Sequence, residues 1–208
     1  MNLTKLLKMQ KVLDDRIVAE KGLQGVDLLD KKILALLTEL GELANEWRGF
    51  KFWSEDQEPR DFVPNPDDVC EACNGNPVFQ AGDKITGFCD YCDGVGVHFY
   101  NPLLEEYADC LSFILSIGND MKIDDVVIES DFTRETLTLT FIEMFYFVRD
   151  LDDCIRHDED SVVSDHTYVV TLELFLGLGE MLGFTTDQIE QAYFDKNSEN
   201  HRRQDTNY

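Results

Sequence analysis

Basic residues are scarce in this chain. Only 18 Lys and Arg face 42 Asp and Glu over 208 residues, a formal net charge of −24. A surface so negative repels polynucleotides and anionic bilayers, so neither nucleic acid nor a membrane surface is expected as a partner. Long apolar runs are missing as well. None approaches about 18 residues, so no membrane-spanning helix is expected. No secretory leader is visible, because Met1-Asn2-Leu3-Thr4-Lys5 opens directly into an amphipathic helix. Proline and glycine are few, at 5 and 13, and against 43% hydrophobic residues and 14 Phe they exclude a disordered chain. Histidine is rarer still. His157, His166 and His201 have no ligand-like spacing, and His98 reads as a loop residue that could at most replace one zinc ligand. These absences point to a cytoplasmic protein, where structural disulfides are rare, so the six cysteines need another account. A chain of this length holds one substantial core, or one core plus a small module.

What is present is mostly helical periodicity. Leu3, Leu6, Leu7, Val12, Leu13 and Ile17 mark a first helix that ends at Gly22 and Gly25. Leu29, Ile33, Leu36, Leu37, Leu40, Leu43 and Trp47 mark a second. Asn101-Pro102 starts a third, with Asn as N-cap and Pro at the first helical position, and its buried stripe is Leu103, Tyr107, Cys110, Leu111, Ile114 and Ile117. Ser130-Asp131 is read as the cap of a fourth, with Phe132, Leu139, Ile142, Phe145, Val148 and Leu151 as core positions. A fifth runs from about Asp165 to Leu182 and stops at Gly183. Thr185 with Gln188 resembles a capping box for a last helix through Arg203. An all-α fold is expected, with residues 1–54 and 101–208 as its body. Residues 55–100 interrupt it: helical period vanishes there and turn-forming residues gather, as in an irregular insert.

That insert holds Cys70-Glu71-Ala72-Cys73 and Cys89-Asp90-Tyr91-Cys92, two CxxC pairs at the spacing of a four-thiolate zinc site. Each pair is followed by a turn, Asn74-Gly75-Asn76-Pro77 and Asp93-Gly94-Val95-Gly96, which lets backbone amides approach the sulfurs. A segment so poor in apolar residues needs a staple, and a closed four-Cys site is structural rather than catalytic. Cys110 and Cys154 fall in helical stretches and read as buried thiols.

The second chemical signal is acidic. Glu39-Leu40-Gly41-Glu42-Leu43-Ala44-Asn45-Glu46 and Glu106-Tyr107-Ala108-Asp109 each put carboxylates three residues apart beside an apolar stripe. Such pairs share one helix face. Two helices of this kind packed together form an oxygen cage for Mg²⁺, which suits phosphoryl chemistry on a nucleotide. A lone ExxE is usually a solvated face, and Asp124-Asp125, Asp150, Asp152-Asp153 and Asp158-Glu159-Asp160 are assigned to solvated loops or helix ends. Phe141, Phe145, Phe147 and Phe175 read as core or as a dimer interface.

Four motifs in order carry a resemblance. Glu39 to Glu46, then Phe50-Lys51-Phe52-Trp53, then Glu105 to Asp109, then Lys196-Asn197-x-x-Asn200-x-x-Arg203-Gln204 resemble the dimeric all-α dUTPases, within the MazG-like nucleoside triphosphate pyrophosphatases. The resemblance covers nearly the whole chain except the cysteine insert. It implies hydrolysis of dUTP to dUMP and pyrophosphate with Mg²⁺, or Mn²⁺ in its place, in a homodimer. It also implies that Glu39, Glu42, Glu106 and Asp109 are metal ligands and that Glu39 polarises the attacking water. Lys51, Lys196 and Arg203 resemble the family's phosphate-binding cations, and Asn197 and Asn200 its phosphate or sugar contacts. Trp53 matches an aromatic of the nucleoside pocket, and Glu46 is grouped with the substrate-binding residues. On the first helix, where the family contacts the base through amides, Gln10 and Asp14 are the nearest candidates. Asp14 departs from the expected amide: ionised, it accepts from uracil N3–H or from a cytosine amine, which leaves dCTP open. A terminal aromatic of the family is matched by Tyr208. The insert is a second departure, expected to brace its loop, extend the dimer contact or bind a protein partner. A zinc-module regulator on the same scaffold is the alternative of a different class.

Overall fold

The computed structural model describes residues 1–130, 132–157 and 162–206. Among them, six helices form the body: α1 (Leu3–Glu20), α2 (Leu29–Trp47), α3 (Pro102–Asp120), α4 (Leu137–His157), α5 (Val162–Met181) and α6 (Thr186–Asp205). Local chemistry sets several of their ends. The Asn2 side chain accepts the Lys5 N–H at α1, and the Asn101 side chain accepts the Leu104 N–H at α3, where Pro102 opens the helix. Thr185 and Gln188 form a complete capping box at α6. Arg48 ends α2 in the left-handed region, with φ 64°.

Helix α3 is the centre of the packing. It lies against α2, α1, α6 and α5, while α4 packs on α5 and α2. One continuous core results, drawing buried residues from all six helices. The stripe expected on α3 is buried throughout. Two tyrosines fix how closely the helices approach. The Tyr107 ring stacks on Phe175 with centroids 4.2 Å apart, and its hydroxyl donates to the Phe175 carbonyl at 2.9 Å. Position 179 must be glycine for this, because a Cβ there would lie 2.5 Å from the Tyr107 hydroxyl. A Cβ at Gly118 would likewise fall on the ring of Tyr168.

Several expectations need correction. Helix α4 starts at Leu137, not at Ser130, and Asp131 lies outside the described residues. The reason is remote in sequence: the buried Glu173 carboxylate of α5 accepts the N–H groups of Glu129 and Ser130 at 2.6 and 2.9 Å and holds that segment as a loop. Phe132 still packs on the core, from the loop. The second correction concerns the inward face. Leu139 and Ile142 are 45% and 60% exposed, whereas Phe141, Met144, Val148 and Leu151 are buried. On α1, Val12 is also exposed. The acidic run at 158–160 and the terminal Tyr208 lie outside the described residues.

The stretch between α2 and α3 is not irregular throughout. It carries β1 (Val63–Val69), β2 (Val78–Ala81), β3 (Lys84–Phe88) and β4 (Val97–Tyr100) in two antiparallel pairs. Strand β1 pairs with β4 in the register Val63 to Tyr100, and β2 pairs with β3 from Val78–Phe88 to Ala81–Lys84. Phe62 and Phe99 stack at 4.2 Å across the base of the first pair. Arg60 ties this base to the body. Its N–H donates to the Glu46 carbonyl at 3.0 Å, its carbonyl accepts the Leu103 N–H at 3.1 Å, and its guanidinium reaches Glu46 Oε1 at 3.4 Å.

Candidate active site

Helix α2 carries Glu39 and Glu42 and helix α3 carries Glu106 and Asp109, and the packing of α2 on α3 turns the acidic faces toward each other. One carboxylate oxygen from each of Glu39, Glu42 and Glu106 lies within 4.8 Å of the other two. Asp109 faces the same place but is held by Lys196 of α6, whose Nζ stands 2.6 Å away and also reaches Glu105 at 3.3 Å. Burial, then the neighbouring charges of Asp109 and Glu42, pushes the Glu39 carboxyl up to about 7. Glu106 is pushed up to about 7 by burial and by Asp109, Glu42 and Glu39. Burial also raises Asp109, against the pull of Lys196. Burial works to lower Lys196, yet its bond to Asp109 prevails and holds its pKa above the ordinary value. Three converging carboxylates without a shared cation repel one another. A hard divalent ion with oxygen ligands at about 2.1 Å relieves that repulsion, and ligands on one such ion sit roughly 3–4 Å apart. The cluster fits that ion after small side-chain rotations. Glu46, one turn further along α2, stays outside the cluster. It pairs with Arg60 and leaves Oε2 buried with no partner among the described residues.

A cavity of about 280 Å³ opens beside Glu39, Asp109 and Lys196. Helix α1 lines it with Gln10 and Asp14, α3 with Ser112, Phe113 and Ser116, and α6 with Asn200, Arg203 and Gln204. Gln10 is only 5% exposed. Its Nε2 donates to Asp14 Oδ1 at 2.8 Å, and its Oε1 accepts from the Tyr193 hydroxyl at 3.1 Å. Asp14 Oδ2 accepts from Ser116 Oγ at 2.7 Å. Burial raises the Asp14 carboxyl, and the bonds from Ser116 and Gln10 oppose the rise. Arg203 pairs with Glu199 at 3.2 Å.

The remaining sequence candidates sit elsewhere. Asn197 is buried and donates to the Tyr193 hydroxyl at 3.5 Å, behind the cavity wall. Lys51 and Trp53 occupy the turn after α2. Lys51 Nζ reaches the Asn45 carbonyl at 3.4 Å, and Trp53 is 66% exposed, edge-on to Phe50 and Phe52. Neither lines the cavity. Sequence reasoning passed over Ser112 and Ser116 as site residues. Their signal was available: hydroxyls four residues apart within the most apolar part of α3. Gln204, read only as part of a motif, also lines the cavity, and its Oε1 is buried without a partner among the described residues.

In the insert, all four cysteine sulfurs lie within 4.8 Å of one another and none is in a disulfide. The Cys70–Cys89 and Cys73–Cys92 sulfurs are 4.0 and 3.7 Å apart. A tetrahedron with Zn–S bonds of about 2.3 Å has edges of about 3.8 Å, so the quartet is compatible with zinc. The turns have the expected use: Asn74 and Asp93 each take φ 50°, and the Gly96 N–H reaches Cys92 Sγ at 3.2 Å. Burial pushes Cys73 up to about 12. Burial acts upward on Cys92 too, but the Gly96 amide and the neighbouring thiols bring it down to about 7.

A protein-family model described as dUTPase matches residues 2–63 and 99–208. The unmatched interval contains all four clustered cysteines and both carboxylate helices lie within the matched parts. No curated protein matches the chain. With the helical architecture and most of its length matched, the chain belongs to the dimeric all-α dUTPase family and is a dUTP diphosphatase.

Proposed function

We propose that this dUTPase converts dUTP to dUMP and pyrophosphate with Mg²⁺, or Mn²⁺ in its place, held by Glu39, Glu42, Glu106 and Asp109. The observation that carries the reading is the convergence of carboxylates from α2 and α3 beside a cavity that also receives Lys196. When bound, two such ions sharing these carboxylates would activate the attacking water and neutralise charge on the leaving pyrophosphate. The chain's own residues do the rest. Glu39 takes the proton of the attacking water as the new O–P bond forms at the α-phosphorus and pyrophosphate leaves. Lys196 and Arg203 balance charge on the phosphates, Arg203 by its planar fork and Lys196 as a point charge released from Asp109. Asn200 contacts phosphate or sugar. Gln10 and Asp14 meet the base. Glu46, Lys51, Trp53 and Asn197 enter on the family resemblance, as supports or contacts of the bound nucleotide.

The active species is a homodimer in this reading. Supporting it, a largely apolar groove of about 440 Å³ runs between α2 and α4, lined by Trp47, Phe50, Phe141, Ile142 and Phe145, with Leu139 and Tyr146 exposed on α4. Residues 55–100 form a zinc-stapled module inserted into the catalytic body formed by 1–54 and 101–208, in a cytoplasmic setting that keeps thiols reduced. The exposed Phe79, Ile85, Phe88 and Tyr91 of that module support a protein partner as a second role. A second substrate, dCTP, stays open because the Asp14 carboxylate in the cavity, when ionised, accepts equally from a cytosine amine or from uracil N3–H. The test is pyrophosphate release from dUTP, dCTP, dTTP and dATP with Mg²⁺. Release from dUTP above the others supports the reading, and release from dCTP alone moves the specificity.

A further inference from the structure

Gln10 is gripped from both sides. Its Nε2 stands 2.8 Å from Asp14 Oδ1, and its Oε1 stands 3.1 Å from the Tyr193 hydroxyl. The amide cannot be turned over in this setting. Reversed, its oxygen would face a carboxylate oxygen at hydrogen-bond distance, two acceptors with no proton between them. Asp14 is itself anchored, because Ser116 Oγ donates to its other oxygen at 2.7 Å. Tyr193 accepts from Asn197 Nδ2 at 3.5 Å, and its one hydroxyl proton is shared between Gln10 Oε1 at 3.1 Å and the Leu6 carbonyl at 3.3 Å, so the bond to Asp14 carries most of the lock.

Uracil and cytosine differ in what they ask of such an amide. Uracil presents an acceptor at O4 and a donor at N3–H. Cytosine presents a donor amine at C4 and an acceptor at N3. With the sugar and phosphates anchored alike, the two bases need opposite orientations of the same amide. A freely turning glutamine serves both, whereas a locked one serves one and leaves buried polar groups unpaired with the other. We infer that Asp14 sets the choice between uracil and cytosine by locking the Gln10 side-chain amide in one orientation. This inference rests on the reading of the cavity as the base site. It gives Asp14, besides its place in the cavity wall, a positioning role exerted through Gln10.

Asparagine at position 14 removes the lock without changing the shape. Its own amide can offer Gln10 either an oxygen or a nitrogen, so both orientations become satisfied. The experiment is steady-state hydrolysis of dUTP and dCTP by wild type and by Asp14→Asn. The expected result is a fall of about tenfold or more in the ratio of kcat/KM values, within the range that buried polar mismatches command. The disfavoured base must gain kcat/KM in absolute terms, which a merely structural lesion does not produce. Ser116→Ala, which frees one Asp14 oxygen, shifts the ratio in the same direction by less and keeps the test should Asp14→Asn not fold. An unchanged ratio in the folded variants overturns the lock, as does an equal loss on both bases. Turnover of neither base by wild type overturns the site reading itself, and is distinguished by appearing before any substitution is made.

Discussion

The helical body and the insert both gather side chains that could hold a metal ion, but they are built on opposite principles. The body buries a continuous apolar core, and its acidic cluster is hung on the flank of two packed helices. In the insert the buried cluster is Cys70, Cys89 and Cys92, with Cys73 packed against it. Without an ion, the first remains a folded body with repelling carboxylates. Without an ion, the second has nothing comparable to a core to hold its hairpins. One cluster is therefore a chemical device on a stable frame, and the other is the frame.

The largest expected effect lies in the body. Glu106→Gln and Asp109→Asn should each lower the turnover of dUTP by on the order of a thousandfold, in line with the loss of a group that stabilises developing charge. Thermal unfolding of metal-free Glu106→Gln should occur at or above the wild-type temperature, because a like charge has been removed from the cluster, whereas Asp109→Asn should melt lower, because it leaves Lys196 buried without its carboxylate. Near-normal turnover in either would break the assignment of the acidic helices. The insert should behave in the reverse way. Cys70→Ser should drop zinc content from one ion per chain toward none and abolish amide-exchange protection across β1 to β4, while the exchange of α2 and α3 stays protected. Zinc retained in full would refute the quartet.

A smaller effect follows from the raised carboxyls. Glu39 and Glu106 titrate near 7 in the metal-free fold, above the ordinary carboxylate value. The folded state thus binds more protons than the unfolded state between about pH 4.5 and 7, and metal-free stability falls as pH rises through that window. The melting temperature should drop by a few degrees, at roughly 2–4 °C per kcal/mol for a chain of this size. Excess Mg²⁺ should flatten or reverse the slope. A metal-free melting temperature that climbs over the same window would contradict the electrostatics. Smallest is Phe62→Ala. Loss of its stack on Phe99 should weaken protection of the β1–β4 pair by about 1 kcal/mol, with turnover measured alongside to show how far the insert speaks to the body.

The same contrast explains what could be read in the sequence. Features set by neighbours along the chain were legible: the Asn101-Pro102 and Thr185-Gln188 helix starts, the α3 stripe, the CxxC spacing and the two acidic faces. Features set across the chain were not. The start of α4 depends on Glu173 reaching back to Glu129 and Ser130. The exposure of Leu139 and Ile142 depends on how α4 is turned against α2 and α5, and periodicity alone does not fix which apolar edge faces inward. Strand β1, Val63-Pro-Asn-Pro-Asp-Asp-Val69, has the composition of a loop and becomes a strand by pairing with β4. In the site, the structure brings oxygens of Glu39, Glu42 and Glu106 together and sets Lys196 on Asp109, a pair the motifs did not specify, whereas Ser116 became visible only through its bond to Asp14.

In the function proposed above, the carboxylates of α2 and α3 bind the divalent ion that hydrolysis of dUTP requires. The most direct measurement is pyrophosphate release from dUTP as Mg²⁺ is titrated, in wild type and in Glu42→Gln, with folding of both checked by circular dichroism. The account predicts saturable Mg²⁺ dependence in wild type and its loss in Glu42→Gln. Equal, Mg²⁺-responsive release from both proteins would contradict it.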